Sequence, residues 1–191
     1  GRREFREHGY YPMESDIRPE ERYLMERVIH RGIEYRGTPR RDHGSGRIIA
    51  NPVIRKAEYR PRFSLLSLDI ETDAADTLYC VGMHSVDRDG KESGIVHMVD
   101  PEGRTTSAAG DYRIAGYPDE KSMLRGALDD ILATDPDLII GWNVIGFDLQ
   151  QLHGACRRHG LQLNLGRDGS EVRIFQKQSG MRSAEIPGRI V

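Results

Sequence analysis

Between Phe63 and His159 the apolar pattern changes period several times, and that order of changes limits the folds open to the chain. Phe63-Ser-Leu-Leu-Ser-Leu-Asp-Ile70 is a strongly apolar run of strand length. Leu78 to Val86 is a second and Gly94 to Val99 a third, with an Asp87-Arg-Asp-Gly90 turn between them. Such runs, separated by turn residues, pair as an antiparallel meander. Residues 119–133 place Met123, Leu124, Ala127, Leu128, Ile131 and Leu132 on one helical face. Leu138-Ile-Ile-Gly-Trp142 follows, a short continuous apolar run that reads as a buried strand parallel to the first. Asp148 to His159 is a second helix, closed by Gly160, and Val172 and Ile174 suggest one more short strand. Three hairpin-linked strands, a helix, a strand and a helix imply an α/β fold, a mixed sheet with helices packed on it.

The first 62 residues read differently. A helix is expected over 19–31, with Pro19 in its first turn, Asp16 as cap, Glu20 and Glu21 at its positive end, and Gly32 ending it. Residues 37–46, rich in Gly, Pro, Arg and Ser, read as a loop. Ile48-Ile49 and Val53-Ile54 are candidate short strands, which makes 1–62 a small α+β piece and puts a boundary near residue 62. A chain of 191 residues suits one domain, or one domain with part of another. The start at Gly1 and a final Gly188-Arg-Ile-Val191 that resembles a strand beginning suggest a piece of a longer protein. No apolar run approaches the roughly 18 residues of a membrane helix, and no apolar signal-peptide core stands near the N-terminus. Cys80 and Cys156 have no metal-ligand spacing and read as small core residues in a reducing, intracellular compartment.

Net charge is −2, yet it is unevenly spread. Residues 31–62 carry nine basic and three acidic side chains, whereas 63–191 carry thirteen and twenty. A basic segment beside an acidic body suits a phosphate contact next to a cation site, and it equally suits a solvated loop.

The acids worth weighing lie in two places. Asp69-Ile70-Glu71 ends the first strand, so Asp69 and Glu71 stand on one face with Ile70 turned into the core behind them. Adjacent carboxylates repel, and a hard divalent cation with oxygen ligands relieves the conflict; a strand end reaching solvent gives the same pattern. Asn143-x-x-x-Phe147-Asp148 follows the 138–142 strand and opens a helix. A carboxylate at a helix start is ordinary. However, ligands in open α/β sheets gather at the carboxyl ends of strands, and Asp69, Glu71 and Asp148 all come from such ends. Three converging carboxylates fit a two-metal phosphodiester site.

Asp69-Ile-Glu-Thr72 and Gly141-Trp-Asn-Val-Ile-Gly-Phe-Asp148 together resemble the first two exonuclease motifs of family-B DNA polymerases, in their bacterial form. Residues 16–27, 135–143 and 165–171 carry further similar strings, so the resemblance runs from about residue 10 to the end. It implies a ribonuclease-H-like 3′→5′ exonuclease fold over 63–191, preceded at 1–62 by the end of an N-terminal domain. It implies that Asp69 bridges two Mg²⁺ or Mn²⁺ ions, that Glu71 holds the ion activating water, and that Asp148 serves the other. Asn143, Phe147 and Ile70 resemble substrate-binding positions, the first two at the 3′-terminal nucleotides. The implied partners are DNA, through a single-stranded 3′ end or a primer-template, and the remainder of a polymerase chain; the implied location is the bacterial cytoplasm, at the nucleoid. No membrane is expected.

One motif is missing. The family's third motif is Tyr-x-x-x-Asp, and none of the tyrosines at 10, 11, 23, 35, 59, 79, 112 and 117 has Asp four residues later. His84 and Asp89 match the histidine variant's spacing but precede the second motif, at a hairpin turn. The chain by itself is therefore expected to be inactive or very weak, around an incomplete metal site. The alternative is a non-catalytic nucleic-acid-binding module that uses the 31–62 stretch for phosphates. Trp142 reads as packing rather than base stacking. His153 and His159, six apart, do not share a helical face and read as packing residues. Tyr10 and Tyr11 could stack on bases.

Overall fold

The computed structural model describes residues 2–11, 13, 17–30, 32–43, 46–105, 107–176 and 180–191. It divides into two compact units, Gly1–Pro61 and Arg62–Val191. The first unit holds α1 (Arg2–Glu7), α2 (Pro19–Glu26), β1 (Ile33–Arg36), β2 (Pro39–His43), β3 (Gly46–Ile49) and β4 (Val53–Lys56). β1 pairs antiparallel with β4, and β2 with β3. Two expectations are corrected here. Within the stretch expected as a loop, Pro39–His43 and Gly46 belong to the paired strands β2 and β3: backbone pairing tolerates the Arg and Pro composition that resembles a loop. The helix expected over 19–31 stops at Glu26, because Val28 turns left-handed at φ 53° and Ile29 N–H returns to the Leu24 carbonyl at 3.0 Å. The expected cap Asp16 lies outside the described residues; at the helix start, the Glu21 carboxylate accepts the Arg18 N–H at 3.4 Å.

The second unit is built on a six-stranded sheet. Its elements are β5 (Leu65–Thr72), β6 (Leu78–Val86), β7 (Glu92–Val99), β8 (Ser107–Ala109), β9 (Tyr112–Tyr117), α3 (Glu120–Thr134), β10 (Leu138–Ile140) and α4 (Asp148–Arg158), then a separate β11 (Arg173–Gln176) and β12 (Arg182–Glu185) hairpin. The sheet order is β10-β5-β6-β7-β9-β8. β5, β6 and β7 form the expected meander, and β10 runs parallel to β5 with Leu138 opposite Leu65. β8 and β9 were not expected. They are short and largely exposed, and β9 joins β7 in parallel after an intervening turn, so no local alternation marks them.

Burial follows the period of each element. Leu66, Leu68 and Ile70 alternate inward on β5, and Met123, Leu124, Ala127 and Ile131 repeat at helical spacing on α3. Asp119 caps α3, its carboxylate accepting the Ser122 N–H at 2.7 Å. The Glu120 carboxylate in the next position ties α3 to β6 and α4: it accepts the Leu78 N–H at 2.9 Å and meets Arg158 at 2.9 Å and His159 at 2.6 Å. His97 is fully buried in this layer, with Nδ1 2.9 Å from the Tyr117 hydroxyl and Nε2 3.1 Å from the Asp130 carboxylate, off the hydrogen-bond angle.

The amino ends of β5 and β10 are locked by charge. Asp137 accepts from Ser64 N–H (3.0 Å), the Ser64 hydroxyl (3.1 Å), Arg88 (2.9 and 3.1 Å) and Arg167 (2.9 Å). Asp135 pairs with Arg167 at 2.8 Å and with the nearly buried Arg189 at 2.7 Å. The Arg88 guanidinium, first among these partners, holds the Asp137 carboxyl well below the usual carboxylate range. Thus the strings at 135–143 and 165–171 are fastened to each other through Arg167.

Candidate active site

The opposite, carboxyl edge of β5 and β10 collects the predicted acids. Asp69 and Glu71 are exposed on β5, two residues apart, with Ile70 only 5% exposed between them. Glu71 sits where the β5–β6 register shifts, opposite Cys80, while Thr72 faces Leu78. Such a bulge re-aims side chains beside it. Asp69 faces Gly82, which brings no Cβ to that face, so space is left beside the carboxylate.

Asp148 arrives from the other strand. After Ile140 the chain turns through residues 141–147 into α4. Gly141 is required there, since a Cβ would stand 2.4 Å from the Leu68 carbonyl oxygen. Asn143 takes the left-handed conformation at φ 60°, and its carbonyl accepts the Phe147 N–H at 2.9 Å. Gln150 and Arg182 both donate to the Gly146 carbonyl, at 2.7 and 2.9 Å. Buried Leu149, Leu152, Ala155 and Cys156 then anchor α4, which fixes Asp148 in its first turn.

Asp148 is 2% exposed, and its Oδ2 has no hydrogen-bond partner. Burial pushes its pKa up and the Asp69 charge adds to this, against the Ile70 backbone N–H, which pulls it down. An ionised carboxylate buried in this way is costly without a countercharge. The Cys80 thiol is likewise raised, first by burial and then by Glu71 and Asp69. The structure therefore brings Asp69 and Asp148 together, with Glu71 and Cys80 on the Asp69 side.

The donor set fits a hard divalent cation: anionic oxygens only, one of them buried and unpartnered. Among the described residues, no three His, Cys, Asp or Glu side chains gather closely enough to cage a metal. Mg²⁺ keeps several waters and is held by one or two carboxylates, which is the ligand chemistry that Asp69 and Asp148 offer.

The other predicted residues fall out as follows. Asn143 and the 40%-exposed Phe147 lie on the turn leading to Asp148. Ile70 turns its side chain into the core behind the two acids, as its place between Asp69 and Glu71 implies. Trp142 is corrected. The apolar run ends its strand at Ile140, and the indole stands 94% exposed instead of packing. His153 pairs with Glu171 at 3.2 Å, and His159 with Glu120. A cavity of about 590 Å³ adjoins the turn, lined by Gly141, Asn143, Gly146, Met181 and Arg182 among others. Gly82, Cys80 and Arg182 escaped the sequence reading; a glycine inside a strand was the one available signal.

Comparison with known proteins gives the family. A sequence model of DNA polymerase family B, exonuclease domain, matches residues 95–191. The chain is 37% identical over 189 residues to DNA polymerase II of Escherichia coli (strain K12), covering 97% of this chain and 23% of that protein. It is 42% identical over 71 residues to the DNA polymerase of Pyrococcus glycovorans, covering 37% of this chain and 9% of the relative. The solved family B DNA polymerase from Pyrobaculum calidifontis superposes with a TM-score of 0.60 at 22% identity, over 92% of this chain and 22% of that one. That likeness speaks for the fold alone, a mixed sheet with flanking helices. The chain spans at most about a quarter of these relatives. Among the described residues no helix is long and apolar enough to cross a membrane. The chain belongs to the exonuclease-domain family of the family-B DNA polymerases.

Proposed function

We propose that this chain is the proofreading 3′→5′ exonuclease region of a DNA-directed DNA polymerase of the bacterial cytoplasm. It comprises the end of an N-terminal domain over 1–62 and most of the exonuclease domain over 63–191. The reaction is hydrolysis of the terminal phosphodiester of single-stranded DNA, releasing a deoxynucleoside monophosphate. The observation that carries this reading is the buried carboxylate of Asp148, whose Oδ2 has no partner, near Asp69 in a chain of this family.

Asp69 and Asp148, with Glu71 on the same strand, would hold Mg²⁺ or Mn²⁺, which would supply Lewis-acid activation of water and neutralise charge on the scissile phosphate. Asp69 and Asp148 present their charge from rigid elements, a strand and an anchored helix, so little reorganisation is needed when the phosphate arrives. Gly82 leaves room beside Asp69 for the phosphate and its waters. Phe147 offers a half-exposed ring to the terminal sugar or base, and the Asn143 amide a polar contact. With no Tyr-x-x-x-Asp in the 191 residues, one ligand and one water-orienting group are missing, and the chain alone is inactive or very weak.

The test compares degradation of single-stranded DNA, with Mg²⁺ or Mn²⁺, by this chain and by one extended through roughly 120 further residues of polymerase sequence, about one domain. Cleavage by the extended chain alone supports the reading. Cleavage by neither removes it, and robust digestion by the 191-residue chain, lost in Asp148→Ala, removes the claim of inactivity.

A further inference from the structure

We propose that Gln150 is a positioning residue of the acid site: its side-chain amide fixes the start of α4, so that the Asp148 carboxylate is left over for a cation. This inference rests on the cation-binding reading above.

A helix start is commonly fixed by an acceptor on the N-cap side chain, which takes the first free N–H groups. Here the N-cap is Phe147, and no side-chain bond caps the helix. The next residue is Asp148, buried at 2% exposure with its Oδ2 unpartnered. So neither residue at the helix start secures the turn before it through its side chain.

The backbone leaves a gap at the same place. The Leu149 N–H goes to the Val144 carbonyl at 2.9 Å. The Gln150 and Gln151 N–H groups both go to the Phe147 carbonyl, each at 2.9 Å. The carbonyls of Ile145 and Gly146 are thus passed over. The half-buried Gln150 side chain takes both: its Nε2 donates to Ile145 at 3.1 Å and to Gly146 at 2.7 Å. A side-chain amide nitrogen carries two N–H donors, and both are used here. Arg182 of β12 adds a second donor to Gly146 at 2.9 Å.

This reverses the usual helix-start device. In a capping box the side chain three positions into the helix accepts from the N-cap N–H; Gln150, at that position, donates to carbonyls instead. Both of its bonds are to backbone, so it acts on Asp148 only through the chain. Residues that hold a metal ligand in place commonly govern affinity nearly as strongly as the ligand does. Leu149, Leu152 and Ala155 anchor the body of α4 in the core, which confines the effect of losing Gln150 to the turn and the acid beside it.

Gln150→Met keeps the side-chain length and the helix propensity and removes both donors. Gln151→Met is the control, because Gln151 reaches Asp76 at 3.4 Å instead of the turn. Mn²⁺ is titrated into the 191-residue chain, and the free ion is read by electron paramagnetic resonance. Gln150→Met is expected to weaken Mn²⁺ binding about tenfold, Gln151→Met to leave it unchanged, and Asp148→Ala to remove it. The Gln150→Met chain should melt within about 4 °C of the wild type, with faster amide exchange over residues 143–150. Should it fail to fold, Gln150→Asn is the second variant: it keeps the amide, is one carbon too short to reach both carbonyls, and should weaken Mn²⁺ in the same direction. Affinity within about twofold of the wild type in the folded variant overturns this inference and leaves the cation reading standing. A wild-type chain that binds no Mn²⁺, or binds it equally well after Asp148→Ala, overturns both.

Discussion

The two ends of the β5–β10 pair carry aspartates in opposite circumstances. At the amino end, Asp135 and Asp137 are surrounded by Arg88, Arg167, Arg189 and Ser64. At the carboxyl end, the Asp69 charge acts on Asp148, and one oxygen of Asp148 is buried with no partner. The first arrangement spends its charge on fastening strands and loops. The second leaves its charge uncompensated, which hampers folding and is the arrangement expected under the proposed cation-binding role. Chemical identity alone does not separate the two roles; what separates them is whether the protein supplies the countercharge.

The largest expected effect tests the fastened end. Asp137→Ala leaves Arg88 and Arg167 short of a partner and Ser64 unsatisfied, and should cost about 3 kcal/mol in urea unfolding. A loss below about 0.5 kcal/mol would mean that the network is ornamental. Next comes the uncompensated end. Mg²⁺ or Mn²⁺ at ten times its dissociation constant should add about 1.4 kcal/mol, a rise of about 4 °C in melting temperature, and Asp148→Asn should abolish it. Equal shifts in both proteins would place the ion elsewhere.

Without metal, Asp148→Asn should itself stabilise the chain by about 1 kcal/mol at neutral pH. The sign follows from the raised pKa: the folded state holds the Asp148 proton more tightly, so stability is highest below the ordinary carboxylate pKa and falls as pH rises through the folded value. Asp137 has the opposite sign, its stabilisation present above the ordinary value and lost on acidification. Melting curves from pH 3 to 7, a range of about 4 units around the ordinary carboxylate value, should show the Asn variant without the upper loss and with the acid loss intact. The smallest effect is expected for Arg182→Ala. It should cost about 0.5 kcal/mol through the lost bond to Gly146, seen as faster amide exchange in the 143–150 turn.

The sequence was most readable where burial follows a period. β5, β6 and α3 declare themselves through Leu66-Leu68-Ile70 and Met123-Leu124-Ala127-Ile131, and the parallel β10 follows from its place after a helix. Pairing that depends on backbone register was silent, as in β8–β9 and the β2–β3 hairpin. At the site, Asp69 and Asp148 could be joined on paper because one stands near the carboxyl end of β5 and the other follows the carboxyl end of the parallel β10. Gly82 and Cys80 could not, since only the cross-strand register with β5 brings them there. Trp142 misled because an apolar run does not announce the residue at which its strand stops.

The Arg189 side chain has a consequence for how the chain is made. It reaches back to Asp135 across 54 positions, and Ser64 meets Asp137 across 73. Contacts this far apart in sequence form late and slowly. On a ribosome the meander could pair early, while β10 and the turn carrying Asp148 would wait for Arg189 to emerge. Until then the acids would be displayed on an unfinished sheet, so a nascent domain should acquire cation affinity only when its last network closes.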